Sequence, residues 1–173
     1  VEGLFVAVGQ VPQSAPFADA VAQENGYYLA GEDTNTCHPG VFAAGDVRDK
    51  FLKQVATAVG DGAIAGYAAE KYLAESEVFE NQIMDASVPG VVYIWNAVDT
   101  ASRDLLPVIE DFEKEHGSNI KVTKVDIYKS TGIASRLGIS TVPSVAFIQN
   151  GKLAGVLTGQ ITRQALEDGL IHM

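Results

Sequence analysis

From residue 91 onward, stretches typical of strands alternate with stretches typical of helices. Residues 91–95 are continuously apolar, which favours a strand buried on both faces. Residues 102–116 carry apolar side chains at helical spacing and are interrupted by Pro107. This alternation predicts an α/β domain in which helices cover a sheet.

The rest of this second region completes the order strand, helix, strand, helix, hairpin, helix. Further strands are predicted over residues 120–127, 144–148 and 153–157, and further helices over residues 130–137 and 162–170. Asn150-Gly151 predicts the tight turn of the hairpin, and Thr162 is expected to cap the final helix.

The first region begins with short apolar runs separated by turn residues. Residues 4–8 and 41–46 each favour a strand buried on both faces, and the second run ends in Gly-Asp. Residues 27–29 form a short predicted strand after an Asn25-Gly26 turn. Each of these runs is too short to be a typical helix.

A helix of about five turns is predicted over the Ala-rich residues 54–73. Since glycine weakens a helix, we expect Gly60, Gly62 and Gly66 to lie at a close approach to another backbone. The polar residues 74–77 then mark a boundary, which predicts domains 1–75 and 76–173.

Composition excludes several classes of function. The chain has 12 basic and 22 acidic residues, and both halves are acidic, with 4 against 10 through residue 75 and 8 against 12 after it. No basic face is therefore expected to neutralise phosphates, and we predict no nucleic-acid partner. No apolar run approaches the roughly 20 residues of a bilayer span, and no secretory signal is recognisable, so we expect a cytoplasmic protein without a membrane partner.

The single cysteine, Cys37, allows neither an intrachain disulfide nor an all-cysteine metal site, and we predict no metal. Cys37 itself is interpreted as a small apolar filler near a turn. The chain begins with Val rather than Met, which indicates a processed product or part of a longer gene.

The second region resembles the thioredoxin family. The similar segments are residues 91–95, Pro107, and residues 138–144, 150–152 and 155–159. The resemblance implies a thioredoxin fold over residues 76–173 with a cis peptide bond before Pro143. It also implies a groove that could bind an extended peptide or a partner subunit, with the candidate residues Val98, Asp99, Val142 and Pro143.

The redox residues of that family are replaced in this sequence. Its two cysteines match Asp99 and Ser102, and its buried acid matches Tyr93. A carboxylate cannot exchange disulfides, and a serine hydroxyl is far too weakly acidic to substitute for a thiol. We therefore predict no dithiol oxidoreductase activity in this domain, and we expect Asp99 to be a helix N-cap.

The first region resembles the flavin-binding end of bacterial thioredoxin reductases. The similar segments are residues 3–9, 36–46, 49–58 and 60–65. The resemblance implies a partial FAD/NAD(P)-binding, Rossmann-like segment and FAD as cofactor. The implied cofactor-binding residues are Gly45, Asp46, Lys53, Gln54 and Val55.

Two features of such reductases are missing from the sequence. No GxGxxG fingerprint follows a strand, since the glycines of residues 60–66 have the wrong spacing and lie in a predicted helix. The segment that would bind NADPH, with its cysteine pair, is absent too. The chain thus resembles the last third of a reductase joined to a cysteine-free thioredoxin-like domain, and we predict no catalysis by it alone.

Two functions remain open from the sequence. The first is part of a thioredoxin-disulfide reductase-like flavoprotein that acts in thiol–disulfide redox homeostasis when complete, with a homodimer implied by the resemblance. The second is a non-catalytic thioredoxin-fold binding module or docking domain for a protein partner.

Overall fold

The structure is a computed structural model that describes residues 2–85 and 87–172. The chain divides into two compact units, Val1–Tyr72 and Leu73–Met173. The boundary predicted after residue 75 lies three residues further along and remains a prediction. The predicted helix is confirmed and extends over Val55–Val78 (α1), because Ala and Glu within residues 74–77 are good helix formers.

The first unit contains a short β-hairpin. Strands β1 (Gln23–Glu24) and β2 (Tyr27–Tyr28) pair antiparallel. Asn25 and Gly26 have φ values of 51° and 83°, as a type I′ turn requires, so this turn is confirmed. Two short 3₁₀ helices, Ala15–Phe17 and Gly45–Val47, complete the elements described before α1.

The two buried strands predicted in this unit are wrong. Residues 4–8 form no strand, and the side chain of Phe5 is 99% exposed. A strand buried on both faces needs a neighbouring strand on each side. Within residues 2–72, no strand pairs with residues 4–8. In residues 41–46 only Phe42 makes an isolated bridge, to Asn35, before the chain turns into the 3₁₀ helix.

The glycines of α1 are not explained by packing. Gly60, Gly62 and Gly66 are exposed, and a Cβ atom added at any of them would meet no heavy atom within 4 Å. The expected close approach to another backbone is therefore wrong for the part of the chain that the structure describes.

The second unit has the expected order of elements and the expected α/β class. They are β3 (Gly90–Trp95), α2 (Thr100–His116), β4 (Lys121–Asp126), α3 (Thr131–Arg136), β5 (Ser144–Gln149), β6 (Lys152–Thr158) and α4 (Arg163–Ile171). The sheet order is β4-β3-β5-β6, with β3 and β4 parallel and the other neighbours antiparallel. A π-helical segment, Phe79–Ile83, precedes the sheet.

Helices cover both faces of this sheet. Val91 and Tyr93 pack on one face with residues of α2 and α4, including Phe112 and Leu166. Val92 and Ile94 pack on the opposite face with residues of α3 and the π-helical segment. This alternation explains why the run is apolar throughout, since successive side chains of one strand point to opposite faces.

Candidate functional site

In the first unit, the predicted cofactor residues lie around the turn at Gly45. Ala44 is extended, whereas Gly45 has φ = +78°, a conformation that favours glycine. A Cβ atom added at Gly45 would lie 3.6 Å from the Cβ of Ala58. The turn therefore lies beside the first turn of α1.

The Asp46 carboxylate faces a shallow pocket. It is exposed and makes no hydrogen bond to the described residues. The pocket has a volume of about 320 Å³ and is lined by Asp46, Val47, Tyr27 and residues 10–13. The Lys53 ammonium lies 3.8 Å from the centre of the Tyr27 ring. Tyr27, which was not predicted from the sequence, thus lines the pocket with Asp46 and contacts Lys53.

Gln54 and Val55 lie at the start of α1 and do not line this pocket. Both are exposed, and the Gln54 backbone N–H donates to the Thr57 Oγ1 at 3.2 Å. Their assignment as cofactor-binding residues stays a prediction.

A buried carboxylate beside this turn was also missed. Asp61 accepts hydrogen bonds from Gly45, Arg48 and Lys50. Burial alone would raise the pKa of Asp61, but these hydrogen bonds outweigh it and lower the pKa from 3.8 to about 2. An acid inside an Ala- and Gly-rich helix, shortly after two cations in an acidic chain, is the sequence signal that could have revealed it.

In the second unit, Asp99 caps α2 as predicted. Its Oδ2 accepts a hydrogen bond from the Ser102 backbone N–H at 2.6 Å. The hydrogen bond from Ser102 lowers the pKa of Asp99, so the carboxylate is charged at neutral pH. The position that matches a thioredoxin cysteine is therefore occupied by a structural anion.

Tyr93 and Ser102 form a buried pair behind this helix start. The Tyr93 hydroxyl donates to the Ser102 carbonyl oxygen at 2.5 Å, and burial raises the pKa of Tyr93 to about 12. The Ser102 Oγ is buried and has no hydrogen-bond partner among the described residues. Neither hydroxyl can serve as a proton acceptor at neutral pH, which fits the vacant acid position.

The peptide bond between Val142 and Pro143 is cis, as predicted. Pro143 lines a groove of about 570 Å³ together with α2 and the loop before α4. Of the predicted groove residues only Pro143 lies there, since Val98, Asp99 and Val142 are not in its lining. Val98 is exposed, whereas Val142 packs against the core on the α3 side of the sheet.

Cys37 is exposed, so its interpretation as an apolar filler is wrong. Its Sγ accepts a hydrogen bond from the Ala22 backbone N–H at 3.3 Å. The thiol therefore takes part in the polar structure of a loop rather than in a core.

One group of carboxylate and imidazole side chains could reach a common cation. Glu115, His116 and Glu167 have ligand atoms within 4.8 Å of one another. However, the Arg163 guanidinium donates to both Glu115 and Glu167 and offsets part of their negative charge. These hydrogen bonds join α2 to α4, and we propose no metal site there.

Two protein families match this chain, one over most of each of its two units. The pyridine nucleotide-disulphide oxidoreductase family matches residues 1–62, and the thioredoxin family matches residues 70–172, more than half of the chain. The chain belongs to the thioredoxin family. Its sole cysteine, Cys37, lies outside the matched thioredoxin domain, so this domain has no cysteine pair.

Three relatives align with part or most of this chain. The thioredoxin reductase of Listeria innocua is 47% identical over 76 residues, which cover 43% of this chain and 24% of the relative. The bifunctional thioredoxin reductase/thioredoxin of Mycobacterium leprae is 27% identical over 209 residues, covering 96% of this chain and 46% of the relative. The NADPH-dependent thioredoxin reductase 3 of Arabidopsis thaliana is 27% identical over 197 residues, which cover 91% of this chain and 37% of the relative.

The chain therefore joins a thioredoxin-reductase-like segment to a thioredoxin domain, as predicted. It spans less than half the length of these relatives. The match of residues 1–62 implies flavin and nucleotide binding in the complete protein. No helix within residues 2–85 and 87–172 has the length and apolarity needed to cross a membrane.

Proposed function

We propose that this chain supplies flavin contacts in a thioredoxin-disulfide reductase-like protein, and that the flavin is FAD. The observation that carries the proposal is the Gly45 turn, which holds a free carboxylate, Asp46, beside a pocket and next to the start of α1. A carboxylate in this setting is suited to accept hydrogen bonds from the ribityl hydroxyls of a flavin.

The neighbouring residues fit the same cofactor. The Lys53 ammonium and the positive end of the α1 dipole both favour the negative charge of a reduced flavin. Gln54 and Val55 lie at that helix start, where they would contact the isoalloxazine ring. When bound, FAD would carry electron pairs from NADPH to a disulfide, and the NADPH site would lie outside these 173 residues.

The thioredoxin domain would take no electrons in this scheme. Asp99 and Ser102 stand where a dithiol is needed, and neither can form a mixed disulfide with a substrate. The role of the complete protein would be thiol–disulfide redox homeostasis, with the thioredoxin domain as a binding surface.

FAD titration of the 173-residue chain, followed by flavin fluorescence, tests this proposal. We expect saturable quenching, and we expect Asp46→Asn to weaken binding about tenfold, since a hydrogen bond to a charged group contributes roughly 1.5–3 kcal/mol. Asp49→Asn is the matched control, because Asp49 is also an exposed acid but does not line the pocket. Flavin fluorescence that the wild-type chain leaves unchanged would contradict the proposal.

Location and assembly complete the proposal. The sequence has no recognisable secretory signal, which supports a cytoplasmic location, and the resemblance to bacterial reductases supports a homodimer. Cell fractionation and light scattering of the purified protein test the two parts. Recovery in the membrane pellet, or a mass of 18.3 kDa in solution, would contradict them.

The groove beside Pro143 favours a second candidate function, a non-catalytic binding module for a protein or peptide partner. Its apolar walls come from Leu105, Val108 and Ile161 on two separate elements. Peptides selected from a display library should shift the backbone NMR signals of Leu105, Val108 and Ile161. Selection of peptides whose binding leaves these signals in place would contradict this function.

A further inference from the structure

Asp61 is the one carboxylate of the first unit that is buried among the described residues. Its side chain is 7% exposed, and it projects from the second turn of α1. The glycine pattern around it matches no nucleotide-binding loop, and the proposed flavin contacts do not use it. A buried anion in a small unit is costly unless it is paired, so its partners indicate what it does.

Donors from both sides of Asp46 converge on this carboxylate. The Gly45 backbone N–H donates to the Asp61 Oδ2 at 2.9 Å. The Arg48 guanidinium donates to both oxygens, from Nε at 3.2 Å and from Nη2 at 2.9 Å. The Lys50 ammonium donates to Oδ2 at 2.9 Å. Residues 45, 48 and 50 are thus fixed to α1, and Asp46 lies between the first two.

Arg48 extends the same network to another loop. Its Nη1 donates to the Gly31 carbonyl oxygen at 2.8 Å. A planar guanidinium that binds a carboxylate through two nitrogens holds one orientation, which a lysine would not. The segment around Asp46 is therefore attached at its start through Gly45 and at its end through Arg48.

We propose that Asp61 is a positioning residue that holds the Gly45–Arg48 segment against α1 and thereby fixes the Asp46 carboxylate at the flavin pocket. This inference rests on the proposed flavin site. Asp61 itself is buried behind the turn and does not line the pocket, so it acts through the backbone of residues 45–48 and not by contact with the cofactor.

Three variants of the full 173-residue chain test this role by FAD titration. Asp61→Asn keeps the shape and one acceptor oxygen but removes the charge that pairs Arg48 and Lys50. We expect it to weaken FAD binding at least tenfold and to shift the NMR signals of the Gly45 and Asp46 amides. Ala63→Gly is the control, because Ala63 is exposed on α1 and its replacement destabilises this helix without removing a partner of Asp61. Lys50→Gln, which keeps a donor, should weaken binding about threefold and replaces Asp61→Asn if that variant does not fold.

The outcomes separate the two proposals. Weaker FAD binding by Asp61→Asn, with Ala63→Gly destabilised but unchanged in affinity, supports the positioning role. Wild-type affinity and unchanged Gly45 and Asp46 amide signals in Asp61→Asn would overturn the positioning role alone. No saturable binding of FAD by the wild-type chain would overturn the proposed flavin site and this role with it.

Discussion

The two units of this chain are stabilised in different ways. The thioredoxin domain has apolar clusters on both faces of its sheet, with ten buried members on one face and nine on the other among the described residues. The reductase-like unit has an apolar cluster of three buried residues, Val21, Tyr28 and Ala43, and next to it the ion network of Asp61. Hydrophobic burial dominates the first arrangement, whereas charge pairing has a large share in the second.

This difference predicts which changes destabilise each unit. Apolar burial is insensitive to pH, so the thioredoxin domain should respond mainly to changes of core volume. A buried ion network depends on every partner and on the charge of the carboxylate.

The largest expected effect is that of Phe112→Ala in the thioredoxin domain. Phe112 is fully buried, and the truncation should cost about 3–5 kcal/mol of unfolding free energy. Urea unfolding followed by the fluorescence of Trp95, the only tryptophan, measures it. Phe51→Ala is the matched control, because Phe51 is fully exposed and its loss should change stability by less than about 0.5 kcal/mol. A loss of unfolding free energy below about 1 kcal/mol for Phe112→Ala would contradict the view that apolar burial dominates the stability of this domain.

Acid should destabilise the reductase-like unit first. Because hydrogen bonds lower the folded pKa of Asp61 to about 2, its stabilisation is complete above the usual value of 3.8 and is lost as the pH falls through about 2. The loss should be on the order of 2 kcal/mol. Urea unfolding monitored by the Tyr28 ring signals at pH 6 and pH 2.5 measures it. Asp61→Asn should lose less unfolding free energy between pH 6 and pH 2.5 than the wild-type chain. An equal loss in this variant would show that other groups cause the acid sensitivity.

Removing the cap of α2 should have a smaller effect. Asp99→Ala leaves the Ser102 N–H without its acceptor and should cost about 1 kcal/mol. Asp99→Asn keeps an acceptor and should lose only a few tenths of that energy. Thermal unfolding of both variants by Trp95 fluorescence makes the comparison. Equal losses would show that the charge, and not the hydrogen bond, stabilises this helix start.

The smallest expected effect is a gain. Since nothing packs on Gly66, Gly66→Ala should stabilise α1 by about 0.5–1 kcal/mol. The reciprocal change at a neighbouring exposed position, Ala63→Gly, should lose a similar amount. Helical circular dichroism during heating compares the two. A loss of stability in Gly66→Ala would show a close contact at this glycine.

The sequence predicted the thioredoxin domain well because its strands find their partners within the same unit. The apolar run at residues 91–95 pairs with β4 and β5, and both of its faces are covered by nearby helices. The run at residues 4–8 is also continuously apolar, but among residues 2–72 it has no paired strand, and its residues are exposed. An apolar pattern therefore states what a segment can bury and not whether a partner is present.

The candidate sites were predicted unevenly for a related reason. Asp99 was identified as a cap because capping depends on residues adjacent in sequence. Asp61 was missed because its partners, Gly45, Arg48 and Lys50, are 11 to 16 residues away and meet it only in three dimensions. Tyr27 was missed likewise, since its contact with Lys53 joins a hairpin to a later loop.

The central claim is that this chain holds a thioredoxin domain that does not exchange disulfides. Insulin reduction in the presence of dithiothreitol tests it most directly, with the purified 173-residue protein compared to dithiothreitol alone. The two rates should be equal, because Asp99 and Ser102 provide no thiolate. A faster rate with the protein that persists in Cys37→Ser would contradict the claim.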